Sequence, residues 1–462
     1  MCFVNLLLSD DPCRFKDQPS STLKAKLFAN HFHSEQHRHD LAMPEIADGH
    51  SNDDVMRFRA ACEAGETTRN NIASLHRVKY FEVPPCFAPS KNLKTAPSDC
   101  FLHMHKKALV RSEPAGTQTC IVVLDTLLRH YAADTSTTDF ENLFTRCQAR
   151  LTQLQSKFHE VVVVPCTDCE VLSKCVLTQM KVSQSAARHA SKIYGLSSPL
   201  PPLFKECLKF PTFRQAMTAL FRTFVGESVT IADVDDNRHF THALFKLIVK
   251  RAKRHILIVC DNPQCLPFIA CRVIPVCEST ATTVDLSLSL ERTEYYLMAK
   301  MKRNFPPLLR RSLPFLHMLS GALYLPYFHL IGQWKMTHAL MKSNSFLTTV
   351  CELFNNSPHA YTHGVDMPCL RSISDTLTKI YLELRKTSCT DLKSLTFNVH
   401  VSNPQVEELI ARLPPTDDVI YNHCARATVL AGVLFYDLTR VDRHFDNYGF
   451  MVRDDFFYPL WY

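Results

Sequence analysis

Three carboxylate-bearing segments could meet to do chemistry in this chain of 462 residues. Asp125 closes one short apolar run. Asp233, Asp235 and Asp236 precede an amphipathic segment. Asp261 closes a second apolar run, which begins at His255. In α/β folds, ligands gather beyond the carboxyl ends of strands. Hard divalent cations take oxygen ligands, and a pair of them stabilises the attacking and leaving oxygens of phosphodiester cleavage. Asp125, Asp233, Asp236 and Asp261 are therefore the candidate ligands for Mg²⁺ or Mn²⁺. The charge around Asp261 is thin, because Asn262 and Gln264 beside it are neutral. The plainer reading is that Asp at a strand end or helix start is a capping residue.

A second chemistry is phosphate binding. Lys246, Lys250, Arg251, Lys253 and Arg254 form a basic stripe leading to His255, and Lys300, Lys302, Arg303, Arg310 and Arg311 form another cluster. On one face, the two would make a nucleic-acid track. Solvated helix ends, where Lys and Arg are favoured, would give the same composition. Trp334 beside Lys335 could stack on a base, though a core tryptophan serves as well. His242 reads as a packing or surface residue. No Ser/His/Asp or Cys/His nucleophile pairing stands out.

Strands and helices must position these groups. Ile121–Leu124 and Ile256–Val259 read as short buried strands, and Val161–Val164 as a central parallel strand covered on both faces. Thr138-Asp139-Phe140-Glu141 fits a capping box before a long helix. The apolar face of that helix is Phe140, Leu143, Phe144, Cys147, Leu151, Leu154 and Phe158. Strand, helix, strand makes a βαβ unit. The unit recurs at a helix with the face Phe240, Ala243, Leu244, Leu247 and Ile248, whose preceding aspartates suit its positive end. The expected fold is α/β, a central mainly parallel sheet flanked by helices, with a helical C-terminal extension. The expected divisions are a polar, partly disordered arm over 1–75, a basic lead-in over 76–115, the α/β core over 116–345 and the extension over 346–462.

Composition sets bounds. The net charge of +7 is mild over this length and permits nucleic acid without demanding it. Ten glycines and neither phosphate-loop fingerprint argue against nucleotide cradles. Nineteen cysteines with no convincing secretory signal point to reduced thiols in cytoplasm or nucleus. Cys166, Cys169 and Cys175 lack a second pair at zinc-finger spacing, so they read as small buried hydrophobes. The cluster His31, His33, His37 and His39 reads as part of the solvated arm. Ser312–Trp334 is apolar enough to raise a membrane span, but Pro314, His317, Pro326 and His329 are costly in lipid, so no membrane partner is expected.

A family resemblance adds to this. From about residue 85 onward the chain resembles the PIN/FEN-like nuclease proteins encoded by transposable-element-derived reading frames in invertebrates. The strings that carry the resemblance are Asn92-Leu93-Lys94-Thr95, Pro201-Pro202-Leu203-Phe204 with Phe210 and Leu220-Phe221, and Asp236-Asn237-Arg238 with His242-Ala243. Further on come Phe315 through Gly321, Leu413 through Thr416 with His423, Arg426 and Ala427, and lastly Tyr448-Gly449-Phe450 with Trp461. The resemblance implies a PIN/FEN-like core and a metal-dependent nuclease centre. The departures bear on that centre. Where the family has Asp-Thr-Asp at a strand end, this chain has Asn262-Pro263-Gln264, and shifting the overlay by one rescues Asp261. Ala322-Leu323 replaces Cys-Asp, Pro165-Cys166 replaces an Asp, and Val234 replaces a Glu. Asp125 and Asp236 are the well-placed survivors. The resemblance therefore implies a catalytically degenerate relative that binds nucleic acid or protein and needs no cofactor. The alternative is an active Mg- or Mn-dependent, structure-specific nuclease using the remaining aspartates. A weaker alternative is membrane association through 312–334.

Overall fold

The computed structural model describes residues 108–167, 184–234, 239–262, 265–291, 294–319, 321, 325, 328, 331, 333–355, 367–392, 394–395, 414–435, 448–453 and 456–459. Asp236, Cys169, Cys175 and the histidines of the arm lie outside these residues.

β-Branched and aliphatic runs build the centre. β1 (Leu109–Val110), β2 (Thr119–Val123), β3 (Glu160–Val164), β4 (Thr230–Ile231), β5 (His255–Val259), β6 (Thr283–Ser287) and β7 (Tyr295–Leu297) form one sheet in the order β1-β7-β6-β5-β2-β3-β4. The strands from β6 to β4 pair in parallel, and β7 closes one side antiparallel to both β6 and β1. The fold is thus α/β with a mostly parallel sheet flanked by helices.

Side-chain alternation sorts the sheet into two covered faces. Ile121, Val123, Val162, Val164, Ile256 and Ile258 face one apolar cluster. Cys120, Val122, Val161, Val163, Leu257 and Val259 face the other. Both faces are buried, which is why these strands read as unbroken apolar runs. Helices Leu124–Tyr131, Phe140–Gln155 and Pro211–Val225 cover the second face. Helices Phe240–Lys250, Pro307–Leu319 and Asp417–Phe435 cover the first. The helices after residue 346 thus share one cluster with the sheet, packing on helices Pro307–Leu319 and Phe240–Lys250.

Several local expectations change. A helix, Leu124–Tyr131, starts directly at the end of β2, so the strand stops at Val123, before the expected Leu124, and Asp125 sits in a helical first turn. Leu127 and Leu128 are buried and hold this helix on the sheet. The long helix is capped by Asp139, whose side chain accepts the Asn142 N–H at 2.8 Å; Thr138 instead donates to Asp139. His239 caps helix Phe240–Lys250, which carries no acid in its first turn. The last described residues form a hairpin, β8 (Phe450–Arg453) with β9 (Phe456–Pro459), where helix was expected. Only Asp454 and Asp455 separate its strands, and aromatic and β-branched residues favour pairing. β6 was also missed, because a buried Asp285 interrupts its apolar run.

The helix through Ser312 stops at Leu319, and residues 313–319 are buried. Among the described residues no helix is long and apolar enough to cross a membrane.

Candidate carboxylate centre and basic edge

The chain runs outward from β2 through β3 to β4, then returns to place β5 on the opposite side of β2. The crossover helices change faces with it, from the second cluster to the first. Connections therefore leave β2 and β5 in opposite directions, opening a crevice at their carboxyl ends. Asp125 follows β2 and Asp261 follows β5, so both come to this switch point.

The geometry there is a clamp. Thr126 Oγ1 donates to Asp261 Oδ1 at 2.9 Å and accepts the Asp261 backbone N–H at 3.0 Å. Arg129 Nη2 donates to the same Oδ1 at 2.8 Å, and its Nε reaches the Asp125 carbonyl at 3.3 Å. Asp125 itself is buried. Burial works against charge on Arg129, but the carboxylates of Asp261 and then Asp125 outweigh it and hold the guanidinium above its ordinary value. Cys260 lies beside them with its thiol pushed well up, by burial first and then by a hydrogen bond with Cys265. Buried thiols with raised pKa values are poor nucleophiles. Most of the described cysteines are buried, Cys166 among them.

Of the four expected metal ligands, then, Asp125 and Asp261 come together. Asp233 does not join them. It follows β4 at the far side of the sheet, its side chain is fully exposed, and Arg222 lies 3.4 Å away. Asp236 lies outside the described residues. Among those residues no group of three or more His, Cys, Asp or Glu could hold a metal ion. Arg129 is the site residue that sequence reasoning missed. Its signal was present: it stands four residues after Asp125, on the same helix face.

The basic stripe sits at the other edge of the sheet. Lys250, Arg251, Lys253 and Arg254 precede β5, so they lie at its amino end, with the whole strand, roughly 16 Å long at about 3.3 Å per residue, between them and the Asp261 end. Lys246, Lys250 and Lys253 are exposed, and Lys253 makes the tight turn with φ +66°. Arg251 is less available, because its guanidinium is paired with Glu160 at the start of β3. Arg254 also reaches Glu160, at 2.9 Å. Two of the five expected phosphate ligands thus tie the turn to the sheet.

Helix Met298–Asn304 follows β7, which runs against β6, so Lys300, Lys302 and Arg303 start from this same amino edge. Lys302 and Arg310 both pair with Glu278 there, at 3.1 and 3.3 Å. His255 Nε2 and Asp285 Oδ2 lie 2.7 Å apart between the two clusters.

Glu160 is the hinge of this edge. Hydrogen bonds from Arg251 hold its carboxylate below the usual range. Its stabilising effect is full above the unfolded value of about 4.3 and fades as pH falls towards the lower folded value. Glu160→Gln should cost about 1–2 kcal/mol at neutral pH, limited by partial solvent screening, and should flatten the acid limb of stability. Urea unfolding between pH 3 and 7, an acid-to-neutral range spanning roughly that carboxylate value, checks both.

Compared with known proteins, the chain matches no family model and no curated sequence.

Proposed function

We propose that this chain is a transposable-element-derived, PIN/FEN-like protein that no longer cleaves nucleic acid and binds its phosphate backbone through the amino edge of the sheet. The single observation that carries the binding role is the meeting of two sequence-distant basic clusters, 246–254 and 300–303, on one edge. Strands β5 and β7 flank β6, so the clusters are two strand spacings apart, roughly 10 Å. That spacing suits contacts to successive phosphates on one face of a nucleic acid. Glu160 and Glu278 neutralise part of the charge, which favours modest, salt-sensitive, sequence-independent binding.

Loss of cleavage is supported by the pairing of the Asp261 carboxylate with Arg129 and Thr126 and by the separation of the basic edge from it. A phosphate held at Lys250 or Lys253 lies too far from Asp261 to react there.

The test is fluorescence-anisotropy titration of the full chain with labelled single-stranded and duplex DNA and RNA, at several salt concentrations. Lys250→Glu with Lys253→Glu should weaken binding by about 10–100-fold at low salt and lower the salt slope by roughly 2. An unchanged affinity in the folded double variant would remove the proposal. Incubation with flap, nicked and single-stranded DNA in Mg²⁺ or Mn²⁺ should leave the strands intact. Cleavage abolished by Asp125→Asn or Asp236→Asn would instead establish the active nuclease.

A further inference from the structure

A metal-dependent centre would need Asp125 and Asp261 open to an ion, and the arrangement does not fit one. Oδ1 of Asp261 already accepts from both Thr126 and Arg129. Asp233, exposed beside Arg222, does not supplement it.

We infer that Arg129 is the resident cation of this centre: its guanidinium takes up the Asp261 carboxylate and the Asp125 carbonyl, and so excludes a divalent ion. Two further features of the geometry support this. The guanidinium is delivered by the same helix that carries Asp125 and Thr126, four and three residues earlier, so centre and counter-ion are one rigid unit. The clamp is also two-sided, since Thr126 holds both the backbone N–H and the carboxylate of Asp261 and fixes that carboxylate towards Arg129. Planar guanidinium–carboxylate pairing is directional, and a protein cannot lose it by dilution as it can lose a bound ion. A divalent ion entering here would meet a fixed positive charge next to its own ligands. Removing that charge leaves the Asp261 carboxylate and the Thr126 hydroxyl in contact, with Asp125 on the same helix turn as Thr126. One or two carboxylates with retained waters are an ordinary shell for a small hard cation.

The inference stands apart from nucleic-acid binding, because it concerns the opposite edge of the sheet and is read by metal binding alone. The probe is Mn²⁺, followed by the electron paramagnetic resonance signal of the free ion. It is titrated into the full-length parent, Arg129→Met, Arg129→Lys and the double variant Arg129→Met/Asp261→Asn. Thermal unfolding of each variant reports whether it is folded. The parent and Arg129→Lys should show no stoichiometric site. Arg129→Met should gain one, at least about tenfold tighter than any binding by the parent, a change on the scale by which neighbouring partners alter metal affinity. The double variant should lose it again. A stoichiometric parent site that Asp261→Asn abolishes would overturn the inference, whether or not Arg129→Met folds. So would a folded Arg129→Met that gains nothing. Should Arg129→Met not fold, a silent parent and a silent Arg129→Lys support the inference, and a site appearing in Arg129→Lys overturns it.

Discussion

Phe140→Ala should lower the stability of the whole protein by about 3–5 kcal/mol, the cost of truncating a fully buried aromatic in a packed cluster. Phe140 is completely buried at the first turn of helix Phe140–Gln155. Its ring lies 5.1 Å from Tyr194, 6.0 Å from Phe144 and 6.1 Å from Phe204, and Phe204 and Tyr194 in turn contact Phe213 edge-on. These rings join the first turn of this helix to the later segment that carries Tyr194, Phe204 and Phe213, on the second face of the sheet. Deleting the central ring leaves a void that the neighbours cannot fill without abandoning their edge-on packing. Its backbone N–H bonds Ser198 at 3.3 Å, so the local chain is fixed and cannot slide inward. Chemical denaturation by circular dichroism checks the value. A loss below about 1 kcal/mol would mean that the cluster collapses freely, contrary to the usual cost of such cavities.

Gly449→Ala should be the most damaging single-methyl change, at about 2–4 kcal/mol from strain and overlap together. Gly449 has φ +73°, a conformation that side chains disfavour. An added Cβ would also sit 2.9 Å from the backbone oxygen of Asn422 and 3.3 Å from Nη1 of Arg426. The backbone oxygen cannot rotate away. The Gly449 carbonyl accepts from Arg426 Nη1 at 2.9 Å, and Arg426 is wholly buried in helix Asp417–Phe435. Relieving the overlap means lifting the β8–β9 hairpin off this helix and weakening a buried charged hydrogen bond. Burial beside the same turn pushes the Tyr448 hydroxyl up to about 12, so near-ultraviolet titration offers a local reporter. In the variant that titration should move back towards pH 10, the ordinary tyrosine value of about 10. A stable variant with an unmoved Tyr448 would show that the hairpin tolerates the methyl.

The sequence alone determined the middle of this protein. Runs such as Val161–Val164 and Ile256–Val259 have little choice but to be strands buried on both faces. The helical recurrence of Phe140, Leu143, Phe144, Cys147, Leu151 and Leu154 leaves only one face to bury, and all six are buried in the structure, while Phe158, expected on the same face, is buried beyond the helix end at Gln155. The positions of Asp125 and Asp261 beyond strand ends were equally legible, because both directly follow those runs. What failed at this level were elements whose reasons lie elsewhere in the chain. β6 carries Asp285 inside a buried strand, and that carboxylate is tolerated only because His255 and the Met298 N–H reach it at 2.7 and 2.9 Å.

The centre's charge and the placement of the basic stripe belonged to the tertiary structure. Local spacing puts Arg129 beside Asp125, but only the return of β5 to the flank of β2 brings Asp261 to the same guanidinium. Lys250 and Lys253 look like neighbours of Asp261 along the chain, yet one extended strand sends them to opposite edges of the sheet. Glu160, nearly a hundred residues earlier in sequence, claims Arg251 and Arg254 for the fold. Hydrophobic periodicity is a local property and survives in one dimension. Which charges neutralise each other depends on distances of a few ångströms between remote segments, and those distances exist only once the sheet has closed.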